Sequence, residues 1–93
     1  MTTHVEGELD LPTAGKLSEV ALAVTETGRT SRLVIDLGGV SFCDSSGLGA
    51  LVAAQKACTK QGIRMLLRRP NDQICRLLTL TGLADFFTVD PAE

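Results

Sequence analysis

The sequence predicts an α/β domain on a mostly parallel four-stranded sheet, and three observations carry that prediction. Strand-like and helix-like segments alternate from end to end: strand, helix, strand, helix, strand, helix, strand. The run Leu33–Leu37 is apolar except for Asp36 and β-branched at Val34 and Ile35, which suits a strand covered on both faces. Leu17, Val20, Ala21 and Val24 recur at i, i+3, i+4 and i+7, one face of a helix. Strands joined through helices pair in parallel, with right-handed crossovers.

The first segment, Thr2 to Val5, is short and β-prone, and Glu6–Asp10 is polar and turn-like. Asp10 precedes Leu11 and Pro12, so it is a candidate N-cap for a helix over Pro12–Thr27, with Gly28 as its stop. Ser31–Leu37 is the buried strand. Asp36 interrupts it near the C-terminal end, where such sheets carry ligands and functional loops. Gly38-Gly39 is expected to turn the chain, and Val40 and Phe42 to re-enter the core. Ser45–Gln61 is the second helix; Ala50, Ala53, Ala54 and Ala57 allow close approach, and Gly62 stops it. Ile63–Leu67 is the third strand, broken by Arg68, Arg69 and Pro70. Asn71 or Asp72 caps a third helix, with Ile74, Leu77, Leu78 and Thr81 on one face and Gly82 at its end. Phe86–Val89 reads as the last strand. We find no repeat, linker or low-complexity segment, and one domain over residues 1–93 is expected.

Composition removes several functions. A chain of 93 residues buries roughly 60–65 % of its unfolded surface, enough for one modest core. The absence of Trp and Tyr leaves little with which to stack bases, and a net charge of −2 gives no attraction to nucleic acid or an anionic membrane. Arg64, Arg68, Arg69 and Arg76 are sparse and mixed with carboxylates, which suits a solvated face. Cys43, Cys58 and Cys75 are widely spaced, and His4 is the lone histidine, so a zinc site lacks ligands. Apolar neighbours around all three thiols suit small core residues better than a redox role. No run is long enough to span a membrane, and the start is not signal-like, so a cytoplasmic protein is expected.

Val40–Gly49 concentrates the remaining chemistry. Asp44, Ser45 and Ser46 precede a helix, and the plain reading of that position is capping, worth roughly 1 kcal/mol. Gly47 and Gly49 each cost about 1 kcal/mol relative to Ala inside a helix, which suggests a surface that another molecule approaches closely. Nucleophilic catalysis by either serine lacks a nearby base, because His4 lies in the N-terminal arm. The Gly-x-Ser-x-Gly elbow and the phosphate-loop motif are both absent, and the paired acids Asp85 and Asp90 fall in a C-terminal segment expected to fray. An enzyme is not expected.

Residues 40–49 resemble the phosphorylation motif of the STAS-domain anti-sigma-factor antagonists, also called anti-anti-sigma factors. Gly7-Glu8-Leu9-Asp10 followed by Thr13-Ala14 resembles that family's other signature. Leu33–Leu37 with Asp36 fits as well, as do Leu77-Leu78 through Gly82-Leu83 and Phe86-Phe87. The resemblance covers nearly the whole chain. Asp-Ser-Ser-Gly-Leu-Gly is its specific string; Gly-Glu-Leu-Asp alone is weak.

The resemblance implies a bacterial partner-switching protein. Its unphosphorylated form would bind an anti-sigma factor that is itself a serine kinase, and so release a sigma factor. The kinase would then phosphorylate Ser45, with Ser46 as the alternative acceptor, and a serine phosphatase would reverse this. ATP and magnesium would belong to the kinase, leaving this chain without a cofactor. Asp10 matches the family aspartate near the phosphorylated serine. The implied partner surface comprises Asp10, Asp44, Ser45, Ser46, Gly47, Leu48 and Gly49. Family members usually carry a further strand before the Gly-Glu-Leu-Asp region, so the N-terminal edge strand is expected to be short or missing. An exposed edge invites pairing, and a monomer or weak dimer is expected. The alternative reading is a STAS-like accessory subunit of a membrane transporter that works by docking alone. A nucleotide-binding STAS domain is a third, for which the chain has no phosphate loop.

Overall fold

The computed structural model describes residues 2–27 and 31–90, with the side chains of Leu11, Thr27 and Asp90 left undescribed. Seven elements alternate: β1 (Thr2–Leu9), α1 (Leu11–Thr27), β2 (Arg32–Cys43), α2 (Ser45–Lys60), β3 (Arg64–Arg68), α3 (Asp72–Leu80) and β4 (Thr88–Asp90). The four strands form one sheet in the order β1-β2-β3-β4, with every neighbouring pair parallel. Each parallel connection runs through one helix, as the alternation of patterns requires. Gly28, the expected stop of α1, lies outside the described residues.

The helix faces pack as their periodicity dictates. Leu17, Ala21 and Val24 of α1 are buried, and Leu48, Leu51, Ala54 and Cys58 of α2 join them. Ile74 and Leu78 of α3 enter the same cluster, against Leu33, Ile35, Leu37, Met65 and Leu67 of the sheet. Val34 and Leu66 alternate with these and face the other way, yet both are buried. The next row on that second face, in register, is His4, Asp36 and Arg68.

Four local expectations are corrected. Glu6–Leu9 is not a turn but the second half of β1; the ladder to β2 shifts register twice, and Gly7 at φ 80° absorbs one irregularity. Gly38-Gly39 does not turn the chain either, because β2 runs on to Cys43. Both glycines serve close approach. A Cβ on Gly38 would lie 2.8 Å from Cζ of Arg69, and one on Gly39 would lie 3.0 Å from Cγ of Glu6. Phe42 does not re-enter the core. The second register shift leaves Ser41 and Phe42 both facing out between buried Val40 and Cys43, with Phe42 44 % exposed. The last strand begins only at Thr88; Phe87 is buried, while Phe86 is exposed and meets it edge-on at 5.0 Å.

Candidate functional site at the C-terminal end of the sheet

β1 and β2 end side by side, because Leu9 and Cys43 are register partners. Each strand passes through a single aspartate into a helix: Asp10 into α1, Asp44 into α2. The Asp44 N–H donates to the Leu9 carbonyl at 3.2 Å, tying the two strand ends together. Two helix N-termini therefore open at one end of the sheet, with the expected site residues on both.

Asp44 is an N-cap in extended conformation. Its Oδ1 accepts the Gly47 N–H at 2.9 Å, and its carbonyl accepts the Leu48 N–H at 2.9 Å. The side-chain bond satisfies the Gly47 N–H, one of the amides that the first helical turn leaves without partners, and the carbonyl makes the first bond of the helix. Asp10 caps α1 through a reciprocal arrangement with Thr13. The Asp10 N–H donates to Thr13 Oγ1 at 2.9 Å, and the Thr13 N–H reaches Asp10 Oδ1 at a long 3.4 Å. The Asp10 carbonyl accepts the Ala14 N–H at 2.8 Å, and Thr13 Oγ1 reaches the Glu8 carbonyl at 2.8 Å.

Ser45, the first residue of α2, is exposed, and Ser46 is half-buried. Gly49 is exposed, with open space where a Cβ would be. Gly47 and Leu48 instead turn inward and are buried. A Cβ on Gly47 would lie 2.7 Å from Leu9 Cγ and closer still to the Leu9 carbonyl oxygen. The reason for that glycine is thus internal: α2 starts against the backbone of β1. The outward-facing group is Asp10, Asp44, Ser45, Ser46 and Gly49.

Two residues that sequence reasoning did not connect with this site hold it from the other side. Above Asp36, β2 outruns its ladder with β3, and side chains of α3 take over. Asn71 caps α3 with Oδ1 on the Ile74 N–H at 2.9 Å, while its Nδ2 donates to the Val40 carbonyl at 3.0 Å. Gln73 grips Cys43 in both directions. Its Oε1 accepts the Cys43 N–H at 2.9 Å, and its Nε2 donates to the Cys43 carbonyl at 2.9 Å. The capping role of Asn71 was readable, but nothing in the local pattern pointed Gln73 at a strand thirty residues away.

Asp36, expected near a ligand site, is a structural anchor instead, because β2 continues well past it. It is buried at 2 % exposure and bound by its own chain. Arg69 Nε donates to Oδ1 at 3.2 Å and Nη2 to Oδ2, and the Gly38 N–H donates to Oδ1 at 2.9 Å. His4, a β1 residue, brings Nδ1 within 3.0 Å of Oδ2. The Arg69 hydrogen bonds and the Gly38 N–H outweigh burial and hold the Asp36 carboxyl down at about 2, against an ordinary 3.8. Arg69 reaches this place from a left-handed backbone at φ 56°. Cys43 and Cys58 are core thiols. Burial, then the Asp44 charge, pushes Cys43 up to about 11, and burial raises Cys58. Cys75 departs from expectation: it follows buried Ile74 on α3 and is exposed.

The model of the STAS domain family matches residues 1–93. This chain belongs to the STAS family. It is 38 % identical over 96 residues to the anti-sigma-B factor antagonist of Listeria monocytogenes, covering 99 % of this chain and 83 % of that relative. A solved anti-sigma factor antagonist from Mycobacterium paratuberculosis is 32 % identical, with a TM-score of 0.82 over 98 % of this chain and 76 % of that one. The Bacillus cell fate determinant SpoIIAA, solved in its phosphorylated form, shares the STAS fold at a TM-score of 0.75 and 19 % identity, over 98 % and 82 % of the two chains. Among the described residues, no helix is long and apolar enough to cross a membrane.

Proposed function

We propose that this chain is an anti-sigma-factor antagonist whose binding is switched by phosphorylation at Ser45. Unphosphorylated, it binds an anti-sigma factor that is also a serine kinase, and a sigma factor is released. The kinase, using its own ATP and magnesium, phosphorylates Ser45 and ends the association; a serine phosphatase resets it. The chain works as a binding module in the cytoplasm, without catalysis or a cofactor of its own, as a monomer or weak dimer.

The observation that carries this reading is the exposed hydroxyl of Ser45 at the capped start of α2, beside the Asp10 cap of α1. Identity to antagonists of anti-sigma factors supports the choice of partner. A phosphate there adds about −1.5 to −2 charges next to Asp44. It falls on the outward group Asp10, Asp44, Ser45, Ser46 and Gly49, to which Gly47 and Leu48 contribute by shaping the turn.

The test uses the cognate kinase with wild type, Ser45→Ala and Ser45→Asp. Calorimetry is expected to give wild-type affinity for Ser45→Ala and weaker binding for Ser45→Asp. Fragment mass spectra after incubation with ATP are expected to put one phosphate on Ser45. Phosphate on Ser46, or equal affinity of wild type and Ser45→Asp, overturns the assignment.

A further inference from the structure

The geometry points to Gln73 as the positioning residue of the Ser45 turn. Among the described residues, no strand lies beside the β3 side of β2 beyond Asp36, where the β2–β3 ladder ends at Asp36 and Arg68. The Gln73 amide fills that role for one residue, accepting from the N–H and donating to the carbonyl of Cys43, each at 2.9 Å. A primary amide matches a backbone N–H and C=O in one orientation only, so the side chain imitates a neighbouring strand. Cys43 is also paired with Leu9 on its other side, and its carbonyl leads directly into Asp44. Asp44 then caps α2 through the Gly47 N–H, with Ser45 between them.

The consequence is mechanical. The direction in which Ser45 points depends on the Asp44 backbone, and Asp44 is fixed upstream by Cys43 and sideways by its bond to Leu9. Without Gln73, the Cys43 N–H and carbonyl lose these hydrogen bonds, and the cap at Asp44 loosens. Gln73 acts on Ser45 through Cys43. That Ser45 accepts phosphate rests on the function proposed above. That Gln73 holds the turn does not.

The test is amide hydrogen exchange on the full chain, followed by NMR for wild type, Gln73→Ala and Gln73→Glu. In Gln73→Ala, the Cys43, Gly47 and Leu48 amides are expected to exchange about tenfold faster, as for one lost hydrogen bond. Leu33 to Leu37 in the same strand report whether the fold is intact and are expected to stay near wild type. Gln73→Glu adds a readout that simple loss of packing cannot move. Its carboxylate accepts from the Cys43 N–H but cannot donate to the carbonyl; its protonated acid does both. Protection at Cys43 and Gly47 in Gln73→Glu is therefore expected to recover as pH falls through about 4.3, relative to wild type at each pH. Unchanged exchange at Gly47 in Gln73→Ala, or no recovery in Gln73→Glu, overturns the inference. With the kinase and ATP, Gln73→Ala is expected to lower kcat for Ser45 phosphorylation more than it raises KM. A wild-type chain that takes no phosphate defeats the proposed function and leaves the exchange result standing.

Discussion

Replacing Gly47 with Ala separates an internal reason for this glycine from an external one. The added Cβ would stand 2.7 Å from Leu9 Cγ and nearer still to the Leu9 carbonyl, which is backbone and cannot swing aside. The first turn of α2 must then retreat by roughly 1 Å to reach ordinary contact, and overpacking of this kind costs about 1–3 kcal/mol. Retreat also pulls on the Asp44–Leu9 hydrogen bond and on the Asp44 cap itself. Weakening a cap adds roughly 1 kcal/mol. Better helix propensity returns about 1 kcal/mol. The net expectation is a loss of about 1–3 kcal/mol, or a Tm lower by roughly 4–24 °C for a domain of this size. Urea denaturation followed by circular dichroism measures it, with an unchanged m value as the sign that only stability moved. Gly49→Ala is the matched control. Its Cβ meets open space, so it is expected to gain about 0.5–1 kcal/mol from propensity alone. A Gly47→Ala protein within about 0.5 kcal/mol of wild type refutes the packing argument.

Two further outcomes follow from the buried groups. The depressed Asp36 pKa makes a stabilising contribution that is complete above pH 3.8 and is lost as pH falls through about 2. It amounts to roughly 2 kcal/mol, so the stability gap between wild type and Asp36→Asn is expected to narrow by that amount from pH 5 to pH 2; a constant gap in urea titrations contradicts it. Cys75 is exposed while Cys43 and Cys58 are buried with raised pKa values. One thiol is expected to react promptly with a disulfide reagent in the native protein and the other two only in denaturant, and three fast thiols would show the burial assignment to be mistaken.

What was readable in advance follows the range of each interaction. The helices announced themselves because i, i+3 and i+4 spacing is local, and Leu17, Ala21 and Val24 are buried as that spacing requires. Asp10 and Asp44 were readable as caps because a cap contacts residues three positions ahead. The glycines misled because Gly38 and Gly39 look like a turn in isolation. Their purpose lies in Arg69 and Glu6, distant in sequence. Phe42 was misplaced for a related reason: residue type suggested the core, but a register shift beside Ser41 reversed the alternation. Gln73 was invisible, since a polar residue in the first turn of α3 carries no mark of the strand it holds.

The same geometry explains where the energy of a charge switch would arise. A phosphate on Ser45 in the free protein stands at a helix N-terminus, where the dipole and open amides favour an anion by about 0.3–1 kcal/mol. Ser45 is exposed, so no packing is lost, and water screens the repulsion from Asp44. The fold is close to indifferent to the added charge. A partner pressed against this end of the sheet changes the terms by removing that water. One like-charge contact near 4 Å then costs about 4 kcal/mol at an effective dielectric of 20, several hundredfold in affinity. Relief by movement is limited, because Gly47 seats α2 on Leu9 and Gln73 grips Cys43. A rigid turn turns a small covalent change into a binding penalty, whereas a loose one would let the phosphate swing away.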